Sequence, residues 1–218
     1  LLLEADVPPG VVNVVTGFGE TAGAALVAHP DVDKIAFTGS TEVGKKIVQA
    51  AAGTVKRVTL ELGGKSPNII FADADLDRAA ASSVGGFCFL AGQICVASSR
   101  VFVQAAIYDA FIEKLTAAAA AFAPGDPMDA RTMMGPLVSR EQYDRVTNYF
   151  AVGKQDGAKV ALGADVRPGK GYFVQPTVFS DVSNDMRIAK EEIFGPVASV
   201  IRFDTEEEAV RLGNQTDY

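Results

Sequence analysis

Lys34-Ile35-Ala36-Phe37-Thr38-Gly39-Ser40-Thr41 and, sixteen positions on, Arg57-Val58-Thr59-Leu60-Glu61 bracket the stretch that decides the fold. Both ends are short runs of apolar and β-branched residues, which read as strands. Between them Gly39-Ser40 makes a turn, Thr41–Ala52 carries a helical pattern, and Gly53 closes it. Upstream, Pro8-Pro9-Gly10 is expected to end a first helix. Val11-Val12-Asn13-Val14-Val15 reads as a further buried strand, and a small-residue helix is expected up to His29-Pro30. The order is β-α-β-α-β with short turns, which predicts an α/β fold with a parallel, doubly wound sheet and helical crossovers.

Ligands in such sheets bind beyond the carboxyl ends of the strands. Two strand-to-helix turns lie there. Gly17-Phe18-Gly19-Glu20-Thr21-Ala22-Gly23 misses the dinucleotide fingerprint by one residue of spacing, and Glu20 places a negative charge where a phosphate would sit. In Thr38-Gly39-Ser40-Thr41-Glu42-Val43-Gly44, Gly39 permits close backbone approach and the helix N-terminus offers N–H donors and partial positive charge. Ser40 either hydrogen-bonds a phosphate oxygen or, with Glu42, makes a plain helix cap; these residues alone leave both open.

Past Glu61 the composition shifts, and a domain junction is expected at residues 62–64. Gly63-Gly64-Lys65-Ser66-Pro67 reads as a kinked crossing into a strand at 68–71. Asp73-Ala74-Asp75 opens a long helix that runs toward the two cysteines. Further strands are expected at 101–103, 158–162, 173–179 and 197–203, and helices at 106–123, 139–153 and 205–212. A Gly/Pro-rich turn separates the strands at 158–162 and 173–179, and Lys190 to Pro196 forms a loop.

Phe87-Cys88-Phe89-Leu90-Ala91-Gly92-Gln93-Ile94-Cys95-Val96-Ala97-Ser98-Ser99-Arg100 holds both cysteines. Cys88 lies between aromatic residues at the end of an apolar helical run, the place of a small buried hydrophobe. Cys95 follows a Gly-Gln break and precedes small residues, so it is either structural or a partly exposed, reactive thiol. Glu61 ends an apolar strand between Leu60 and Leu62. Burial there would raise its pKa toward general-base work; otherwise it bonds to backbone.

The whole chain, 218 residues with 48% apolar and 22% charged, is long enough for one or two domains. A net charge of −7 without a Lys/Arg cluster argues against nucleic acid or an anionic membrane as partner. Two cysteines without a framework suggest a reducing compartment, so a cytoplasmic location is expected. No run approaches membrane-spanning length, and no metal-ligand set is expected. The chain opens without Met and stops directly after a helix, so it reads as an internal piece of a longer chain, truncated at both ends.

Leu60-Glu61-Leu62-Gly63-Gly64-Lys65-Ser66-Pro67 resembles the glutamate signature of the aldehyde dehydrogenase superfamily, and Gly92 to Ser99 resembles its cysteine signature. Phe37-Thr38-Gly39-Ser40, Gly171-Tyr172-Phe173-Val174-Gln175-Pro176-Thr177 and Glu191-Glu192-Ile193-Phe194-Gly195-Pro196 resemble three further motifs in the family's order. The resemblance covers essentially the whole chain. It implies that residues 1–62 are the latter part of a dinucleotide-binding domain and residues 63–218 the first part of a catalytic domain.

It further implies that an aldehyde is oxidised to a carboxylic acid with NAD or NADP. Cys95 would be the nucleophile, its N–H half of an oxyanion hole, and Glu61 the base for thioester hydrolysis. Gly39, Ser40, Thr41, Val43 and Gly44 would form the cofactor turn, with Ser40 and the helix start on the pyrophosphate. Glu192 would hold the nicotinamide ribose and Phe194 would pack near the ring. Gln93 and Ile94 would shape the site, and Phe87, Phe89 and Ile94 lean toward an apolar or aromatic aldehyde. A parent homo-dimer or homo-tetramer is expected. The alternatives are a CoA-acylating relative, against which Glu61 speaks, and a non-catalytic dinucleotide-binding relative, against which Cys95 and Glu61 speak.

Overall fold

The computed structural model describes residues 1–166 and 169–218. Arg167 and Pro168, in the Gly/Pro-rich turn, lie outside the described residues. The fold is α/β with parallel-dominated sheets, in two compact units, Leu1–Leu62 and Gly63–Tyr218.

In the first unit β1 (Lys34–Thr38) pairs in parallel with β2 (Arg57–Glu61), Lys34 opposite Arg57 and Thr38 opposite Glu61. The crossover helix is preceded by a short α1 (Ala24–Ala28), itself preceded by a π-helical turn at Gly19–Gly23. The crossover, α2 (Thr41–Ala52), starts where Ser40 Oγ accepts the Val43 N–H at 3.3 Å. It turns Gly44, Ile47 and Ala51 inward, a helical spacing of three and four. Lys56 donates to the carbonyls of His29 (2.5 Å) and Val32 (2.8 Å), tying the entry of β1 to that of β2.

Two expectations fail here. Residues 11–15 form no strand, and Val11, Val12, Val14 and Val15 are each more than half exposed. A β-branched run becomes a strand only with a ladder partner, and none pairs with it among the described residues. Residues 2–6 form a turn instead of a helix, with Asp6 in the left-handed region at φ 54. The sheet of this unit therefore has two strands, β1 and β2, where three were expected.

The second unit holds a five-stranded sheet in the order β3-β4-β7-β6-β5. Its strands are β3 (Pro67–Ile70), β4 (Arg100–Gln104), β5 (Lys159–Leu162), β6 (Thr177–Ser180) and β7 (Val197–Phe203). All neighbours are parallel except β5, which runs antiparallel to β6 at the edge. β4 and β7 lie inside the sheet and are buried over Arg100–Val103 and Val197–Ile201, mostly apolar, as strands covered on both faces are. β6 begins only at Thr177, later than expected, because Pro176 has no N–H to give to a ladder.

The helices are α3 (Leu76–Cys88), α4 (Tyr108–Ala120), α5 (Arg140–Gln155), α6 (Arg187–Lys190) and α7 (Glu206–Asn214). Asp75, Ser139 and Thr205 cap α3, α5 and α7 through their side-chain oxygens. α3 buries Ala80, Ser83, Val84, Phe87 and Cys88, and α4 buries Tyr108, Phe111, Leu115 and Ala119. These stripes join Phe102, Phe179, Ile188 and Phe203 in one core. No described helix is long and apolar enough to cross a membrane.

Candidate active site

Cys88 and Cys95 separate sharply. Cys88 ends α3 fully buried, and burial pushes its thiol up to about 12. The chain then reverses through Leu90 (φ 49, ψ 34), Ala91 (φ 56, ψ 33) and Gly92 (φ 70), three consecutive left-handed residues. This turn carries Cys95 out to a half-exposed position. A Cβ on Gly92 would collide with the Gly195 carbonyl, so the turn is seated directly on the loop of Glu192. Gln93 braces it: Oε1 accepts the Val138 N–H at 3.0 Å and Nε2 donates to the Leu90 carbonyl at 3.2 Å.

A Cβ on Gly64 would lie 2.6 Å from the Cys95 carbonyl oxygen, so a bare backbone borders the thiol residue. The Cys95 N–H meets no acceptor among the described residues. Ala97 N–H returns to Ile94 O at 3.1 Å and Ser98 N–H reaches Gly86 O at 3.0 Å, so the loop is pinned on both sides of the thiol. A reactive thiol requires this combination of access, a fixed backbone and an unspent donor.

Glu192 and Phe194 belong to the same unit. Glu192 Oε1 accepts the Gly64 N–H at 3.0 Å, and a Cβ on Gly63 would collide with the carboxylate. Phe194 is held at φ 60. With Gly64, Ile94, Ser99 and Gly195 they line a cavity of about 10 Å³, room for roughly one water. A larger cavity of about 430 Å³ lies between Pro67, Arg100, Val210 and Tyr218 and includes neither Cys95 nor Glu192.

Several residues that hold this loop escape a reading of the sequence. Gln142 Nε2 donates to the carbonyls of Ile193 (3.1 Å) and Phe194 (2.7 Å). Arg145 donates to those of Glu192 (2.5 Å) and Ile193 (3.4 Å). Val146 packs on Gly195 and Tyr149 reaches Glu191. These lie at i, i+3, i+4 and i+7 of α5, one helix face. The only signal available was that spacing of polar side chains, with no sign of the partner some fifty residues on. Lys65 is buried too, with Nζ on the Ile188 carbonyl at 2.8 Å. Burial, then the neighbouring Arg100 guanidinium, lowers it to about 7 against the pull of Glu192 and Glu191. Arg100 is itself buried, bonded to the carbonyls of Lys65, Leu212 and Gly213.

The remaining residues expected to act on the thioester or hold the cofactor, Glu61 and the Gly39–Gly44 turn, lie in the first unit. Glu61 ends β2 and is exposed, so the burial that would suit it to general-base work is not found here. Alternation along the strand gives Val58 and Leu60 the sheltered face and leaves Arg57, Thr59 and Glu61 on the open one. In the Gly39–Gly44 turn, local packing already explains both glycines: a Cβ on Gly39 would collide with the Phe37 ring, and one on Gly44 would lie 2.7 Å from Leu62. The Val43 N–H is spent on Ser40, while Ser40 and Thr41 stand at the open N-terminus of a twelve-residue helix. Phe87 is fully buried in the core, so it has no surface to offer an aldehyde; Phe89 is 60% exposed and Ile94 half-exposed. Among the described residues no group of three His, Cys, Asp or Glu side chains is placed to hold a metal ion.

A sequence model described as the aldehyde dehydrogenase family matches residues 1–218. An aldehyde dehydrogenase of Alternaria alternata is 53% identical over 219 residues, covering 100% of this chain and 44% of that protein. A solved NAD+ complex of an aldehyde dehydrogenase from Bacillus cereus superposes with a TM-score of 0.95 at 52% identity, covering 99% of this chain and 44% of the other. An indole-3-acetaldehyde dehydrogenase from P. syringae, solved with NAD+ and IAA, gives a TM-score of 0.96 at 45% identity, covering 98% and 44%. The chain thus spans less than half the length of each of these relatives.

Proposed function

The chain belongs to the aldehyde dehydrogenase family, and from that premise we propose that it carries the thiol and part of the cofactor site of an enzyme oxidising an aldehyde to a carboxylic acid with NAD(P)+. The observation that carries the reading is the contrast between the two cysteines: Cys88 sealed in the core, Cys95 half-exposed on a pinned loop with its N–H unspent.

Cys95 attacks the carbonyl carbon through its sulfur, and its own N–H is aimed at the oxygen that becomes an oxyanion. A bound NAD(P)+ supplies the hydride acceptor. The thiol proton is given up to solvent as the C–S bond forms; once the former carbonyl carbon has lost its hydride, the acyl group stays on Cys95 as a thioester, and Glu61 takes a proton from the water that adds to it, so that the C–S bond breaks, the Cys95 sulfur leaves and the acid is released. The open start of α2 fits a pyrophosphate: Ser40 Oγ accepts from Val43 N–H, which leaves its own hydroxyl proton to donate, and the helix end favours negative charge. Glu192 fits a ribose, since one carboxylate oxygen is anchored on Gly64 and a carboxylate has further acceptor capacity. Phe194 would pack beside the nicotinamide of a bound dinucleotide. Phe89 and Ile94 favour an apolar aldehyde.

In the protein that carries this chain, Cys95→Ser is expected to abolish aldehyde oxidation and keep dinucleotide binding. Iodoacetamide is expected to label Cys95 ahead of Cys88. Preferential labelling of Cys88, or turnover surviving Cys95→Ser, refutes the proposal.

A further inference from the structure

Glu191 precedes the proposed ribose ligand and stands in extended backbone, φ −95 and ψ 140, at the end of α6. Successive side chains of an extended chain point to opposite sides. Glu192 turns to Gly64, and Glu191 turns the other way, to α5. There Glu191 Oε2 accepts the Tyr149 hydroxyl at 2.6 Å, and Arg187 grips both oxygens at 2.9 and 3.0 Å. The Arg187 pair is largely exposed and one helical turn apart, so it adds little alone. The Tyr149 bond is the sheltered one: Tyr149 is 6% exposed, and burial, then Glu191, pushes its phenol up to about 12. Tyr149 therefore remains a donor at any working pH. Its ring also lies beneath the Arg145 guanidinium, 5.7 Å from the centroid, and Arg145 donates to the Glu192 carbonyl.

We propose that Glu191, locked by Tyr149 and Arg187, is a positioning residue that fixes the aim of the Glu192 carboxylate at the dinucleotide. One tyrosine acts on the backbone of residue 192 twice, through Glu191 before it and through Arg145 on its carbonyl. That doubling distinguishes the arrangement from a surface ion pair. The proposal rests on the reading of Glu192 as ribose ligand.

The test is steady-state kinetics and dinucleotide titration, with thermal melts, on Tyr149→Phe, Glu191→Gln, Glu191→Ala and, as reference, Glu192→Ala, in the protein that carries this chain. Tyr149→Phe removes one charge-assisted hydrogen bond and should raise the dinucleotide KM and Kd roughly threefold to tenfold. The aldehyde KM and the rate of Cys95 alkylation should stay within about twofold, since neither touches this bond. Glu191→Gln keeps an acceptor for Tyr149 and should show a smaller rise than Glu191→Ala. A purely structural role would lower the melting temperature and leave the dinucleotide KM unmoved; that result, with Glu192→Ala impaired, overturns the proposal alone. Dinucleotide binding unimpaired in Glu192→Ala overturns it together with the ribose reading.

Discussion

Gly92→Ala should damage the site more than any other one-methyl change in the thiol segment. Gly92 has φ +70, where a Cβ costs roughly 1–2 kcal/mol. The added carbon would also collide with the Gly195 carbonyl and lie 2.7 Å from the Phe87 carbonyl. Both are backbone atoms, one at the end of α3 and one in a loop that α5 holds, so neither yields cheaply. Overpacking of this kind costs roughly 1–3 kcal/mol. The sum is roughly 2–5 kcal/mol, at roughly 2–4 °C of melting temperature per kcal/mol for a domain of this size. The neighbouring Ala91→Gly is the internal control. It relieves a left-handed alanine (φ 56) but loses a buried methyl worth roughly 0.8 kcal/mol and gains chain entropy in the unfolded state, so it should stay within about 1 kcal/mol of the parent. Thermal melts with iodoacetamide kinetics at Cys95 read both effects. Gly92→Ala as stable as the parent, with an unchanged alkylation rate, would refute the claim that this turn seats the thiol on the Glu192 loop.

Cys88→Ser should cost roughly 1–3 kcal/mol by burying a hydroxyl in place of a thiol, with Cys95 alkylation unchanged; a variant melting like the parent contradicts the sealed core position. Lys65 binds fewer protons in the folded chain than unfolded between about 7 and its ordinary value of 10.5, so it makes stability rise with pH across that window. Lys65→Met should flatten that rise: its advantage over the parent should be largest near pH 6 and shrink toward pH 10, and parallel stability curves would exclude the assigned pKa. Ser40→Ala removes the cap on Val43 N–H, which should cost roughly 1 kcal/mol of stability, and should also weaken dinucleotide binding; a loss of stability alone would leave Ser40 a plain cap.

The β1-α2-β2 unit was legible because its signals are local: two short strand runs, Ser40 three residues before the N–H it caps, and a closing glycine. The buried strands β4 and β7 were legible for the same reason. Residues 11–15 had the composition of a strand, but a ladder needs a partner and composition does not supply one. Whether Glu61 is buried could not be read from its apolar neighbours, since alternation along β2 puts Leu60 on the sheltered face and Glu61 on the open one. The left-handed turn at Leu90-Ala91 was hidden because neither residue type favours that conformation; tertiary contacts at Gly92 impose it. Cys95 and Glu192 stood out through their motifs, whereas Gln142, Arg145, Tyr149 and Glu191 work through partners distant in sequence, which no window along the chain reveals.

The most direct test of the account is the covalent state of Cys95 in a Glu61→Gln variant of the protein that carries this chain, mixed rapidly with aldehyde and NAD(P)+. In the proposed mechanism Glu61 acts after the thioester forms, so a burst of reduced dinucleotide should precede slow turnover, the mark of a stalled acyl-enzyme. Loss of a general base should slow the second phase by roughly 10²–10⁴. Intact mass spectrometry should show one acyl group, and chymotryptic mapping, with cleavage at Phe89 separating the two cysteines, should place it on the Cys95 peptide. An adduct on Cys88, or a full burst followed by undiminished turnover, would contradict the account.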